Sequence, residues 1–181
     1  MSDADLGDRL LKGERIVWSG RPAQGLLLTG RDALLIPLSL MWGGFAVFWE
    51  TTVLMQAKTQ GFFALWGIPF VLAGLYLIVG RFLLDAWIRR GISYAVTNNR
   101  ILIVRSGPFG KFTAMRLDQL PEASLSEGRN GRGTIRFGPQ TPVLGRRTNW
   151  TPSLDPTPQF IAIENARSVF DQIQTASKSG A

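Results

Sequence analysis

Hydrophobic positions along the chain fall into three patterns. From Ala33 to Trp49, ALLIPLSLMWGGFAVFW carries no charge, and after Glu50 the sequence continues as TTVLMQA. A second uncharged run, GFFALWGIPFVLAGLYLIVG, extends from Gly61 to Gly80 and passes into RFLLDAWIRR. Beyond Gly91 the apolar residues come in short alternating groups separated by Gly, Asn and Pro, and near the C-terminus they recur every three or four positions.

The two long runs predict membrane-spanning helices. At about 1.5 Å per residue, a helix from Ala33 to Leu54 covers roughly 33 Å, enough for a hydrocarbon core of about 30 Å. The hairpin is expected over 33–90, with spans near 33–54 and 61–84. The first run follows a largely polar segment with no short basic leader, so it reads as a span and not as a cleaved signal. Glu50 falls near one interface, and Arg81 and Asp85, four apart, are placed to neutralise one another where the second helix leaves the bilayer.

Charge orients the hairpin. Arg9, Lys12, Arg15, Arg21 and Arg31 precede the first span and Arg81, Arg89 and Arg90 follow the second, whereas the loop between them holds only Lys58. Basic residues in short flanks mark the cytoplasmic side, so both termini are expected in the cytoplasm. Antiparallel pairing through the loop sets Gly43 level with Gly74 and Gly44 level with Ala73. Small residues there let the helix backbones approach closely. Trp42, Trp49, Trp66 and Trp87 are candidates for interfacial belts, Trp42 and Trp66 lying deep enough to serve as packing residues instead.

The shorter pattern predicts an antiparallel β-module over 91–176, followed by a polar tail, 177–181. In SYAVTNNRILIVRSG, two alternating strands flank Asn98-Asn99, which suits a type I′ turn. KFTAMRL, EASLS and TIRFG read as further strands, and the Pro-rich stretch Pro139 to Pro158 as loop. PQFIAIENARSVFDQIQTA places Phe160, Ile163, Ala166, Phe170 and Ile173 on one face of an amphipathic helix starting after Pro158. In the N-terminal segment, 1–32, the residues Ile16, Val17 and Trp18 form either a strand that joins the module or an anchor for the Trp ring.

These residues carry a resemblance. YAVTNNRILIVRSG, the short meander, GRGTIRF and the closing FIAIENARSVFDQI resemble the bacterial pleckstrin-homology-like domain of small membrane proteins, and GERIVWSGRP resembles the segment that often precedes its two-helix hairpin. The resemblance implies an α+β chain: a transmembrane helical hairpin followed by a partly open, seven-stranded antiparallel barrel capped by a C-terminal helix. It also implies a cell inner membrane, a role in binding or assembly, and no catalytic residues. The stretch Pro139 to Pro158 departs from the family pattern.

Composition narrows the chemistry. With no Cys and no His, thiolate nucleophiles, disulfides, Cys/His zinc sites and His general bases are excluded. No spacing of the remaining residues points to a catalytic site, a metal or a cofactor. GRNGRG, Gly128 to Gly133, precedes a strand and not a helix, so it reads as a hairpin turn and not a phosphate loop. The formal net charge of +7 favours an anionic partner. Arg89, Arg90, Arg129, Arg132, Arg136, Arg146 and Arg147 are the candidate contacts for an anionic lipid surface or a protein partner. Nucleic acid is disfavoured, since neither a recognition helix nor a stacking platform is evident. The sequence therefore predicts a membrane-anchored binding module, acting through lipid or protein contacts or self-assembly. The alternative is an accessory subunit of a larger membrane complex, in transport or envelope stress.

Overall fold

The computed structural model describes residues 4–7, 9–30, 32–55, 61–128, 131–139 and 151–179. The elements run as a single turn α1 (Ala4–Gly7), strand β1 (Ile16–Gly20), helices α2 (Asp32–Met55) and α3 (Gly61–Leu75), a π-helical turn (Tyr76–Gly80), and helix α4 (Arg81–Arg90). Strands β2 (Ile92–Thr97), β3 (Arg100–Arg105), β4 (Lys111–Arg116), β5 (Ala123–Glu127), β6 (Gly133–Phe137) and β7 (Gln159–Ile163) follow, and α5 (Ala166–Ser179) closes the chain. The class is α+β. Contacts divide the chain into a helical unit, Leu26–Leu84, and a second unit that joins Met1–Gly25 to Asp85–Ala181.

In the helical unit the usual arrangement of a soluble core is inverted. The buried residues of α2 are Asp32, Ser39, Gly43 and Ala46, mostly small and spaced along one face. Gly67 and Gly74 are the buried counterparts on α3. The large apolar side chains point outward, Phe45 being 62% and Phe48 67% exposed. Helices built this way meet through backbone proximity. Pro37 and Pro69 lie inside the two helices, where spanning segments tolerate proline better than soluble ones. Two helices, Asp32–Met55 and Leu65–Arg90, are long and apolar enough to cross a membrane.

The second unit holds two antiparallel sheets, ordered β1-β2-β3-β4 and β5-β6-β7. Among the described residues the sheets do not join into a closed barrel. Strand β1, from the N-terminal segment, pairs with β2 from Gly20↔Tyr94 to Ile16↔Thr97, so that segment belongs to the β-unit and is not separate from it. Every residue of β2 is buried because both faces of its sheet are covered. Ala95, Leu102 and Val104 pack under Leu6 and Leu10. On the opposite face the Phe160 ring lies 4.6 Å from Tyr94, 5.6 Å from Trp18 and 5.3 Å from Phe137.

Two local elements differ from expectation. The β2–β3 connection is Asn98-Asn99, but neither residue has positive φ, so the turn is not type I′. The Thr97 hydroxyl organises it, accepting from the amides of Asn99 and Arg100, while Asn98 Oδ1 accepts the Arg15 amide. The C-terminal helix begins at Ala166, not after Pro158, because Gln159–Ile163 is strand β7 on β6. All five of these residues are buried, which a strand covered on both faces allows and one face of a helix does not. An irregular register separates Ile135↔Phe160 from Gly133↔Ile163, with Ala162 at φ 45°, and Asn165 at φ 50° makes the corner into α5. Such an extra residue is a β-bulge. The strands on either side of GRNGRG, β5 and β6, pair antiparallel, while Arg129 and Asn130 lie outside the described residues.

Candidate binding surfaces

Two buried ion pairs flank the helix that leads into the β-unit. In the helical unit, Arg81 Nη2 lies 3.0 Å from Asp32 Oδ1, and Asp32 Oδ2 accepts both the amide and the hydroxyl of Thr29, in the manner of a capping box. In the β-unit, Asp85 accepts from Arg89 Nε at 2.7 Å and from the amide and hydroxyl of Ser153 at 3.0 and 2.8 Å. Arg89 also donates to the carbonyls of Ala23 and Gly25. The Arg81–Asp85 pairing expected from the sequence is therefore replaced by two others. An acid N-terminal to a base at i,i+4 is the better order in a helix, which favours Asp85–Arg89 and leaves Arg81 for a neighbouring element.

That geometry redistributes the candidate arginines. Arg89 is 1% exposed and donates to the Asp85 carboxylate and to the carbonyls of Ala23 and Gly25, so that together with Asp85 it ties α4 to the Ala23–Gly25 segment and the Thr151–Leu154 turn and presents no surface to a lipid. Arg90 is exposed. Arg132 is exposed and donates to Glu164 at 3.0 Å. Arg136 is largely enclosed, donating to Gln159 Oε1 and lying 3.6 Å from Asp155. Arg129, Arg146 and Arg147 lie outside the described residues. Of the described members, Arg90 and Arg132 are exposed and Arg89 and Arg136 are enclosed.

Of the proposed packing residues, Gly43 and Gly74 face one another: a Cβ on Gly74 would sit 2.9 Å from Gly43 Cα. Gly44 and Ala73 lie on exposed faces, and a Cβ on Gly44 would meet nothing. Farther along the hairpin, the Glu50 carboxylate fills the space a Cβ on Gly67 would take, and its Oε2 has no hydrogen-bond partner. A cleft of about 320 Å³ lined by Trp42, Phe45, Trp49, Trp66 and Phe70 opens beside Gly67.

A third polar cluster ties the N-terminal segment to the sheet. Glu14 accepts from Arg100 Nε and Nη2 at 2.8 and 2.9 Å, from the Thr97 hydroxyl at 2.7 Å and from the Leu11 amide at 2.7 Å. Burial alone would push its carboxyl up. The Arg100 hydrogen bonds, the Leu11 amide, the Thr97 hydroxyl and the Arg100 charge outweigh that and hold it at about 2. Burial raises the Tyr94 hydroxyl above the usual tyrosine range, where its oxygen accepts the Ile161 amide at 3.1 Å. Sequence spacing could not show Glu14–Arg100 or Asp85–Ser153, whose partners are far apart in the chain.

An open groove of about 1090 Å³ runs beside α5, edged by Glu127, Gly131, Asn165, Arg167 and Asp171, with Arg167 paired to Glu127 at 3.5 Å. Its mixed charge and openness single out no ligand. Among the described residues no group of acidic side chains could hold a metal ion. No protein-family model, curated protein or solved structure matches the chain.

Proposed function

We propose that the chain is an integral protein of a cell membrane, anchored by its two apolar helices, that displays the β-unit on the cytoplasmic side as a binding module and not as an enzyme. The observation that carries this reading is the inverted packing of the hairpin. Its small residues are inside and its large apolar side chains outside, an arrangement that only an apolar surrounding relieves. The distribution of Arg and Lys around the hairpin supports cytoplasmic termini. The resemblance to pleckstrin-homology-like modules supports a role in binding protein or anionic lipid, or in self-assembly. Anchoring confines the module to the membrane surface and raises its effective concentration toward partners there.

The test is extraction of membranes from cells expressing the full chain. An integral protein stays with the pellet in alkaline carbonate and is released by detergent. Release by carbonate alone would overturn the anchor.

A second reading, a subunit of a larger membrane complex, draws on Glu50, which ends the uncharged run of α2 and whose Oε2 lacks a partner. It predicts that Glu50→Gln abolishes co-purification of a stoichiometric partner while the hairpin still inserts. Unchanged composition of the detergent-purified complex would exclude it.

A further inference from the structure

We propose that one end of the β-unit is itself seated in the headgroup layer of the membrane, through Trp87, Phe109 and Phe112 together with Arg9, Arg90 and Lys111. This deepens the anchored-module reading and rests on it.

Three observations converge on that end. First, among the described residues of the β-unit the large aromatic side chains that are exposed are Trp87 at 52%, Phe109 at 42% and Phe112 at 43%. Second, they gather where the sheet receives α4. Gly91 follows the last residue of α4 and donates to the Ile88 carbonyl, and its own carbonyl accepts the Ser106 amide at 2.8 Å. The β3–β4 turn thus begins one hydrogen bond from the end of the helix. Arg105↔Lys111 and Val104↔Phe112 are the pairs next to it, and Ile92↔Arg105 continues the register to the first residue of β2. Third, among the described residues the exposed charges there are cationic. Arg90 and Lys111 are exposed, and the Arg9 guanidinium lies over the Phe112 ring at 5.1 Å. Among the described residues the acidic groups nearby, Asp85 and Asp155, are enclosed and committed to Arg89, Ser153 and Arg136.

The turn is held rigidly. Gly107 at φ 92° starts it, Gly110 N donates to Gly107 O at 2.9 Å, and Arg105 Nε holds the Phe109 carbonyl while its Nη1 holds the Ser153 carbonyl at 2.6 Å. A fixed aromatic ring left in water gains nothing for folding. In an interface it fills the same role as the aromatic belts that flank spanning helices, and cations beside it meet lipid phosphates. Chain length permits the contact: Trp87 is four residues before Gly91, about 6 Å of helix. The occupant is therefore the membrane that holds the hairpin, and a soluble protein partner at this end is an outcome of the test.

The chain has no cysteine, so single-cysteine variants report one site each. Phe109→Cys, Phe112→Cys, Gln119→Cys and Phe48→Cys, each spin-labelled in the full-length protein in vesicles containing anionic lipid, are compared for collision with oxygen and with a water-soluble nickel complex. Gln119 is exposed in the turn that follows β4, and Leu117 of that turn bonds the Asn99 carbonyl at the far end of the sheet. The proposal expects labels at 109 and 112 to favour oxygen, as the label at 48 does, and the label at 119 to favour nickel. Labels at 109 and 112 behaving like 119 while 48 stays in lipid would overturn this inference alone, and protection of 109 from both reagents would assign the end to a protein partner and overturn it too. A label at 48 open to nickel would overturn the anchor reading itself.

Discussion

Glu14 is the clearest case of a residue whose contribution depends on its charge state. Its carboxyl titrates at about 2 in the folded chain against 4.5 as a free group, so the stability it confers is complete above pH 4.5 and is lost as the pH falls toward 2. The difference corresponds to about 3 kcal/mol for the Arg100, Leu11 and Thr97 contacts together, net of the cost of burial. In detergent solution the thermal midpoint should fall between pH 4.5 and 2, and Glu14→Gln should flatten that segment while lowering stability at neutral pH. An unchanged slope in the variant would contradict the assignment. Tyr94→Phe tests a different cost: it leaves the buried Ile161 amide without an acceptor and should destabilise the unit by about 1–3 kcal/mol with little change in packing, as read by chemical denaturation. Neither residue was visible as a site in the sequence. Tyr94 read only as a strand residue, and Glu14 meets Arg100 across a separation that no local spacing encodes. Asp85–Arg89 lay within reach of local rules, but Arg81 at the same spacing offered a rival.

At the scale of elements, the two long apolar helices were legible because a long uncharged run needs no partner to be recognised, and depth pairing brought Gly43 and Gly74 to one level. Which flanking small residues face inward depends on helix rotation, and so Gly44 and Ala73 could not be separated from them by depth alone. Gly74→Ala should push the helices apart at Gly43, lowering hairpin stability by about 1–3 kcal/mol in a detergent unfolding titration followed by helicity, whereas Gly44→Ala should leave the midpoint unchanged. Equal effects would contradict the crossing point. The short elements were harder. Phe160 and Ile163 are spaced as well for a helix as for a bulged strand, and an apolar run of that length does not discriminate between them. Ala162 at φ 45° marks the difference: Ala162→Gly should be tolerated, and Ala162→Val, whose branched side chain opposes that conformation, should lower stability by on the order of 1–2 kcal/mol, measured by thermal melting. The β2–β3 connection was read correctly as a two-residue turn but from the wrong chemistry, since Thr97 supplies with its hydroxyl what positive φ at the asparagines would have supplied.

For the whole molecule, the account joins an inverted helical hairpin to a β-unit that takes its first strand from before the hairpin. The strand Ile16–Gly20 and the strands after Gly91 share one sheet, and under the proposed anchoring this sets the chain on both sides of the hairpin on one side of the membrane. This constraint is stronger than charge counting, and it was only half legible: the sequence offered Ile16, Val17 and Trp18 as a strand or as an anchor, and Trp18 against Phe160 together with the β1–β2 ladder resolves it. The candidate arginines, by contrast, were chosen by charge alone, and burial and pairing redirect Arg89 and Arg136 to structural work.

The central claim, a hairpin anchor with both flanks and the β-unit on the cytoplasmic side, is tested most directly by labelling single cysteines with a membrane-impermeant maleimide in intact cells and after lysis. Lys58→Cys, in the loop between the spans, should label in intact cells, and Arg15→Cys and Ser126→Cys should label only after lysis. Labelling of Ser126→Cys in intact cells, or protection of Lys58→Cys until lysis, would contradict the account.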